Sequence, residues 1–149
     1  MTDVHDAATR SYNMAMIRRS DTKPEVLLRK ALWGRGLRYR LNSTLPGRPD
    51  LVFPRFEATV FVDGCFWHAC PQHLKWPKNN ALFWKKKIKA NKKRDDTVNR
   101  QLLSLGWHVI RIWEHEIRSD VGLCARRVER LIRANRHANS RSELKAHVK

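Results

Sequence analysis

The sequence predicts an α/β fold in which a mixed β-sheet is flanked by helices. The run Ala58–Val62 is almost entirely apolar, as is typical of a central, buried strand. A segment from about Asn79 to Gly106 follows with apolar residues at steps of three and four, and the Val-, Ile- and Trp-containing stretch Trp107–Trp113 comes next. A strand, a crossover helix and a second, parallel strand are therefore expected.

The first part of the chain is expected to supply a helix and two more strands. Thr22–Glu25 fits a capping box at a helix start, and Gly34 and Gly36 end that helix. Leu37–Leu41 alternates apolar and polar residues, and Leu51–Phe53 is short and apolar. Both stretches are predicted to be strands that pair antiparallel with their neighbours.

The length of 149 residues suits one domain with a substantial core. We expect the folded domain to span residues 21–134, between an N-terminal segment at 1–20 and a loose basic tail at 135–149. A last helix is expected from about Asp120, and its spacing makes Cys124 a core residue rather than a metal ligand. The expected order is αβββαβ followed by that helix.

Charge indicates the class of partner. The chain has 31 Lys and Arg against 14 Asp and Glu, a formal net charge of +17, together with 6 Trp and 5 Phe. A folded basic domain of this kind is expected to bind nucleic acid, with membrane-surface binding as the rival. No secretory signal or apolar run of roughly 20 residues is evident, so a cytoplasmic, nucleoid-associated protein without a membrane partner is expected.

A metal site is predicted in the stretch DGCFWHACPQHLKW. Cys65, Cys70 and His73 follow the pattern C-x4-C-x2-H, and tetrahedral zinc takes thiolate and imidazole ligands, usually four. His115 is the best candidate for the fourth ligand, because the crossover would bring the end of its strand beside the end of the preceding one. Four protein ligands indicate a structural zinc that contributes to folding. The alternative is a buried cysteine pair with a surface histidine.

Asp50 is the candidate ligand of a catalytic metal. It follows Pro49 at a strand start, and the alternative is a simple turn aspartate. The αβββαβ order resembles the core of the restriction-endonuclease-like nucleases, whose Pro-Asp motif places a carboxylate on Mg²⁺, a cation that prefers oxygen ligands. The Glu-x-Lys usual on the next strand is missing from Val60–Gly64. Either the domain is inactive or other residues take that role.

His68 is not among the predicted zinc ligands and is a candidate general base. Asp95 is an inward-facing carboxylate on the crossover helix, and an imidazole held by a carboxylate is a familiar way to activate water. The alternatives are a solvated loop histidine and a salt bridge from Asp95 to a core arginine. Phe66, Trp67 and Trp84 are either core residues or platforms that stack on bases, at roughly 1–3 kcal/mol per base.

Several motifs together resemble the very short patch repair (Vsr) mismatch endonucleases. They are RSYNM, the helix with Glu25, LPGRPDLVF, VFVDGCFWHACPQH, FWKKKIKANKKRD and GWHVIRIWEHE. The resemblance spans about Thr9 to about Ile117. It implies a restriction-endonuclease-like fold with a structural zinc, and an enzyme that uses Mg²⁺ to nick DNA 5′ to the thymine of a T:G mismatch.

The resemblance also implies catalytic roles. Asp50 would hold Mg²⁺ with the backbone carbonyl of Val62, and Glu25 would act in the metal shell through water. His68 would activate the water molecule, oriented by Asp95. The zinc ligands would be Cys65, Cys70, His73 and His115.

By the same resemblance, several residues would contact DNA. Phe66, Trp67 and Trp84 would wedge into the duplex from the major-groove side. Met14 and Ile17, on the N-terminal segment, would approach from the minor groove, and Lys87 and Asn91 would contact the mismatched bases. The partner would be duplex DNA with a T:G mismatch, with mismatch-repair proteins as further partners, and the chain is expected to be a monomer.

Two departures from the family pattern bear on these roles. The best-studied pattern has Thr-His where this chain has Val62 and Asp63, so no histidine is available at position 63 and Asp63 could add a metal ligand or brace the loop. His115 stands where a cysteine occurs in that pattern. Two other functions stay open: a restriction-like endonuclease or nickase acting on unmismatched DNA, and a DNA-binding module without catalysis.

Overall fold

A computed structural model describes residues 22–65, 70–71 and 78–147, with side chains up to residue 135 of the last helix. Its elements are α1 (Lys23–Gly34), β1 (Leu51–Phe53), a 3₁₀ turn (Pro54–Phe56), β2 (Ala58–Asp63), α2 (Ala81–Ser104), β3 (His108–Trp113), α3 (Glu114–Ser119) and α4 (Val121–His147). In the part of the chain so described, no helix has the length and apolar character needed to cross a membrane.

The three strands form one mixed sheet in the order β1-β2-β3. β1 pairs antiparallel with β2, with Leu51 opposite Val60, and β2 pairs parallel with β3, with Val60 opposite Ile110. α2 is the connection between the two parallel strands. The α/β class, the central position of β2 and the crossover are thereby confirmed.

The predicted strand Leu37–Leu41 is wrong as a sheet strand. Among the described residues only Arg40 bridges to the sheet: its amide donates to the Val52 carbonyl at 2.8 Å, and the Val52 amide donates back at 3.1 Å. Asn42 has a φ of 55°, which turns the chain away directly after Leu41. The alternation still placed Leu37 in the core, where it is 2% exposed.

Helices cover both faces of the sheet. One face packs against α1, α3 and α4 through a core that includes Leu28, Leu32, Phe53, Val60, Ile112, Ile117, Val128 and Ile132. The other face packs against α2 through Phe61, Val98 and Leu102. The inward stripe predicted for α2 is confirmed at Ile88, Val98 and Leu102, but Leu105 is 60% exposed because the helix ends at Ser104.

The last helix extends past residue 134, the expected end of the folded domain. Cys124 and Val128 are buried as predicted, at 4% and 0% exposure. α4, however, continues to His147, so the backbone of residues 135–147 is helical. No glycine or proline follows Gly122, so no residue with low helix propensity interrupts the helix there. α3 was not expected from the sequence, because its six residues are too few to show a helical period.

The loop before β1 is fixed against α2 at Gly47. Gly47 has a φ of 73°, and a β-carbon built there would lie 2.4 Å from Cγ1 of Val98. Gly36 has a similar φ of 83°, but a β-carbon there would meet nothing within 4 Å. Both glycines therefore adopt a positive φ. Of the two, only Gly47 also lies where a β-carbon would clash with a neighbour.

We expect Gly47→Ala to lower the free energy of unfolding more than Gly36→Ala does. Both substitutions strain a left-handed backbone, and Gly47→Ala adds overpacking, which costs about 1–3 kcal/mol. Urea denaturation of both variants measures the difference. Equal losses would mean that Val98 does not confine this loop.

Candidate functional site

Asp50 lies directly before β1 and is tied to β2. Its Oδ2 accepts a hydrogen bond from the Val62 amide at 2.7 Å. The pairing of β1 with β2 reaches Leu51 opposite Val60, so the Val62 amide lies just beyond the backbone ladder and is satisfied by a side chain. The two residues expected to hold Mg²⁺, Asp50 and Val62, thus lie side by side at this edge of the sheet.

Glu25 faces Asp50 from the first turn of α1. Glu25 is 8% exposed, and its side chain hydrogen bonds with that of Asp50. Thr22 makes no side-chain capping hydrogen bond, so the predicted capping box is wrong in its Thr22 half. Pro24 in the first turn already removes one free N–H group, which lessens the need for a cap. Glu25 belongs to the candidate active site.

The pKa of the Asp50 carboxyl is raised from 3.8 to about 7. Burial is the largest cause, because it disfavours the charged form. The Val62 amide acts in the opposite direction, while the charge and hydrogen bond of Glu25 and the charge of Asp63 raise the pKa further. The Asp50 carboxyl, crowded by Glu25, therefore tends to keep a proton near neutral pH.

Arg111 organises the carboxylates on the α2 side of the sheet. Its Nη1 lies 2.9 Å from Oδ1 of Asp63 and 3.7 Å from Oδ1 of Asp95, and its Nε donates to Oδ1 of Asn99 at 2.9 Å. The guanidinium also lies 4.2 Å from the centre of the Phe61 ring. Asp63, 5% exposed, is braced by this arginine, and the salt bridge considered as the alternative for Asp95 is present.

These groups line one cavity of about 360 Å³ between the sheet edge and α2. Its charged lining residues are Glu25, Arg48, Asp50, Asp63, Arg94, Asp95 and Arg111, and Asn91 lies among them. Sequence reasoning missed Arg48, Arg94 and Arg111. The alternation of side chains along β3 could have identified Arg111, because positions 109 and 111 share the face of the sheet that α2 covers.

The residues of this cavity fit a divalent cation. Asp50 and Glu25 offer hard carboxylate oxygens, and Arg111 already compensates Asp63 and Asp95. A cation bound between Asp50 and Glu25 would replace the proton that the pair tends to retain. Mg²⁺ is commonly bound by one or two carboxylates and keeps several waters, so two such groups suffice.

A second cluster lies past the same ends of β2 and β3. The parallel register pairs Asp63 with Trp113, so Cys65 and His115 each follow two residues beyond that pair. Nδ1 of His115 lies 3.2 Å from Sγ of Cys65 and 3.6 Å from Sγ of Cys70. Parallel pairing therefore brings His115 to the two cysteines, as the sequence argument expected.

The geometry of this cluster fits zinc. The three donor atoms lie within 4.8 Å of one another, and both cysteines are buried and free of a disulfide. Zn–S bonds of about 2.3 Å and Zn–N bonds of about 2.0 Å place sulfur and nitrogen roughly 3.5 Å apart in a tetrahedral site. Burial, together with the neighbouring Cys70 thiol, raises the pKa of the Cys65 thiol although a backbone hydrogen bond at His115 lowers it, so a metal would displace protons on binding.

The first turns of α2 present aromatic and basic groups. Trp84 is half-buried and Phe83, 58% exposed, packs edge-on against it at 5.3 Å between ring centres. Nζ of Lys87 lies 5.6 Å from the centre of the Trp84 ring. Leu82 is 84% exposed. Sequence reasoning identified Trp84 and Lys87 and missed the exposed Phe83, which the motif FWKKK contains.

Six of the expected site residues lie outside the described part of the chain. They are Met14, Ile17, Phe66, Trp67, His68 and His73. The catalytic pair of His68 with Asp95 and the fourth zinc ligand therefore stay predictions.

Known proteins with similar sequences are enzymes that cut DNA. A family model described as DNA mismatch endonuclease Vsr matches residues 2–73. The type II nicking enzyme V.NaeI of Lentzea aerocolonigenes is 48% identical over 115 residues, which are 73% of this chain and 69% of that protein. The type II nicking enzyme V.NmeAIP of Neisseria meningitidis is 41% identical over 137 residues, 89% of this chain and 96% of the relative. The DNA mismatch endonuclease Vsr of Escherichia coli K12 is 43% identical over 120 residues, 79% of this chain and 77% of the relative.

The basic chain, its acidic cavity and these similarities define an endonuclease. More specifically, the chain belongs to the Vsr family of DNA mismatch endonucleases. The family resemblance stated from the motifs is thereby confirmed.

The raised pKa of Asp50 predicts how stability depends on pH without added Mg²⁺. Below pH 4 the residue is protonated in both states, whereas between about pH 4 and 7 the unfolded chain loses the proton and the folded one retains it. The stabilising contribution is thus lost as the pH rises through about 7. Asp50→Asn, which keeps an acceptor for the Val62 amide, should be more stable than wild type at pH 8 by on the order of 2 kcal/mol, and this gain should shrink towards pH 5.

Thermal melts of both proteins across pH 5 to 8 measure this difference. Asp96→Asn is the matched control, because Asp96 is exposed on α2. If Asp50→Asn and wild type lose stability in parallel as the pH rises, Asp50 does not retain a proton in the folded protein.

Proposed function

We propose that the protein is a Mg²⁺-dependent mismatch endonuclease that nicks duplex DNA 5′ to the thymine of a T:G mismatch. This reaction would initiate very short patch repair of deaminated 5-methylcytosine. The observation that carries the proposal is the contact of half-buried Asp50 with buried Glu25 in an arginine-lined cavity of a Vsr-family chain. The mixed sheet with its Pro-Asp strand start supports a restriction-endonuclease-like core.

The chemistry at Asp50 would use few protein groups. Asp50 and the backbone carbonyl of Val62 would hold Mg²⁺, and Glu25 would act through water. The Val62 amide keeps the Asp50 carboxylate in place at 2.7 Å. Mg²⁺, when bound, neutralises charge on the phosphate and polarises it for attack.

Proton transfer would fall to His68. As the base, it takes a proton from the attacking water, and Asp95 orients its imidazole. Nη1 of Arg111 lies 3.7 Å from Oδ1 of Asp95, and both residues line the cavity. Asp63, held by the same arginine, acts as a brace and not as the missing acidic ligand.

Recognition of the mismatch would come from elements on either side of the cavity. Phe66, Trp67 and Trp84 wedge into the duplex from the major groove, and Met14 and Ile17 approach from the minor groove. Lys87 and Asn91 contact the mismatched bases. The exposed aromatic turn at the start of α2 supports this arrangement, because Trp84, Lys87 and Asn91 share one helical face.

Zinc would have a structural role. Cys65, Cys70 and His115 already converge, and His73 completes the set as the fourth ligand. Because Cys65 and Cys70 flank residues 66–69, the metal fixes both ends of the segment that carries Phe66, Trp67 and His68.

The second candidate is a nickase or restriction-like endonuclease that acts on unmismatched DNA. It is favoured by one observation: two of the similar proteins are named type II nicking enzymes. Both candidates use the same cavity and differ in the duplex that is cut.

Nicking of matched and T:G duplexes of one sequence tests the proposal. With Mg²⁺ we expect a single-strand break 5′ to the thymine of the T:G duplex and an intact matched duplex. Asp50→Asn should abolish nicking, and His68→Ala should slow it by about 10²- to 10⁴-fold. Equal cutting of both duplexes would favour the second candidate.

A matched pair of variants separates the role of Asp95 from a general effect of charge. Asp95→Asn should slow nicking, whereas Asp96→Asn, exposed on the next position of α2, should leave the rate unchanged. Full activity of Asp95→Asn would remove this residue from the catalytic set.

A further inference from the structure

Two arginines beside Asp50 make no ion pair or hydrogen bond from their side chains to any residue that the structure describes. Arg48 lies in the loop before β1, and Arg94 lies on α2, one residue before Asp95. Both are exposed, and both line the cavity that contains Asp50 and Glu25. Arg111, by contrast, is fully engaged with Asp63 and Asp95.

A second cavity adjoins the first one and is basic where the first is acidic. It measures about 740 Å³ and shares Glu25, Gly47, Arg48, Asp50 and Arg94 with the inner cavity. Its other lining residues are Arg29, Leu41, Asn42, Ser43, Thr44 and Pro49. Three arginines face two carboxylates there, together with hydroxyl and amide groups, so this outer cavity is suited to an anion.

Arg48 is placed by a fixed turn. Its amide donates to the Leu45 carbonyl at 2.9 Å, and its φ of 48° is uncommon for a residue with a side chain. Gly47, which precedes it, lies against Val98 of α2. The base of the Arg48 side chain is thus held close to the helix that carries Arg94.

Neutralisation of the acidic pair does not explain these two arginines. Neither lies within 4.0 Å of a described carboxylate oxygen, the distance at which an ion pair forms. The two cations therefore remain available for a ligand from outside.

We propose that Arg48 and Arg94 bind a backbone phosphate of the nicked strand next to the phosphate that is cut. The inference rests on the proposed function and adds the path of the substrate strand to it. A strand that has its scissile phosphate at Asp50 and runs from the inner cavity into the outer one would carry a neighbouring phosphate past the lining that the two cavities share. Guanidinium groups match phosphate oxygens through paired hydrogen bonds.

Binding measured without cleavage tests this site. Affinity for matched and T:G duplexes is determined with Ca²⁺ in place of Mg²⁺, over a range of salt concentrations, for wild type, Arg48→Ala and Arg94→Ala. We expect each variant to bind both duplexes roughly tenfold more weakly. The slope of log affinity against log salt should fall by about 1.

Arg130→Ala is the matched control. Arg130 is exposed on α4, so this substitution removes the same charge away from the two cavities. Arg48 already adopts a positive φ with a β-carbon present, so Arg48→Ala adds no new backbone strain. Losses no larger than that of Arg130→Ala, with an unchanged salt slope, would overturn the proposal.

A set of duplexes with one neutral methylphosphonate each then locates the contact. Wild type should lose affinity when the phosphate next to the nick is neutralised, and Arg48→Ala and Arg94→Ala, which each keep one arginine, should lose less. If both variants lose as much as wild type does, these arginines do not contact that phosphate. Because no step needs nicking or mismatch preference, failure here is distinguishable from failure of the proposed function.

Discussion

The hydrogen bond from the Val62 amide to Asp50 is the constraint on which the rest of the site depends. It fixes a carboxylate directly before the start of β1, beside the end of β2. Glu25 is buried against that carboxylate from α1, so a helix and two strands meet at one acidic pair. Burial and mutual repulsion make the metal-free pair hold a proton, and the same crowding makes it a fit for a divalent cation.

β2 connects this acidic pair to the cysteine–histidine cluster. Val62 holds Asp50, Asp63 pairs with Arg111, and Cys65 reaches His115, all within four residues. A change in the register of β2 against β3 would therefore disturb both the Asp63–Arg111 pair and the Cys65–His115 contact. This arrangement connects the cysteine–histidine cluster physically to the acidic pair, because the cluster lies just past the end of β2 and Val62, near that end, holds Asp50.

Elements whose apolar pattern is long or dense were predictable from the sequence. Ala58–Val62, the crossover helix and Trp107–Trp113 follow from periodicity, and the parallel register then brings His115 to Cys65. Leu37–Leu41 failed because its alternation reports burial and not pairing, and the turn at Asn42 ends the contact with the sheet. The engagement of Arg111 with Asp63, Asp95 and Asn99 was not predictable, because it requires the register of three elements at once.

Titration of Mg²⁺ into the zinc-loaded protein by calorimetry near pH 7 tests the acidic pair most directly. Repeating the titration in buffers with different heats of ionisation also counts the protons released. We expect about one Mg²⁺ to bind per chain with release of a proton, and Asp50→Asn to lose both the binding and the release. Unchanged Mg²⁺ binding and proton release in Asp50→Asn would show that the cation site does not depend on the carboxylate that the Val62 amide holds.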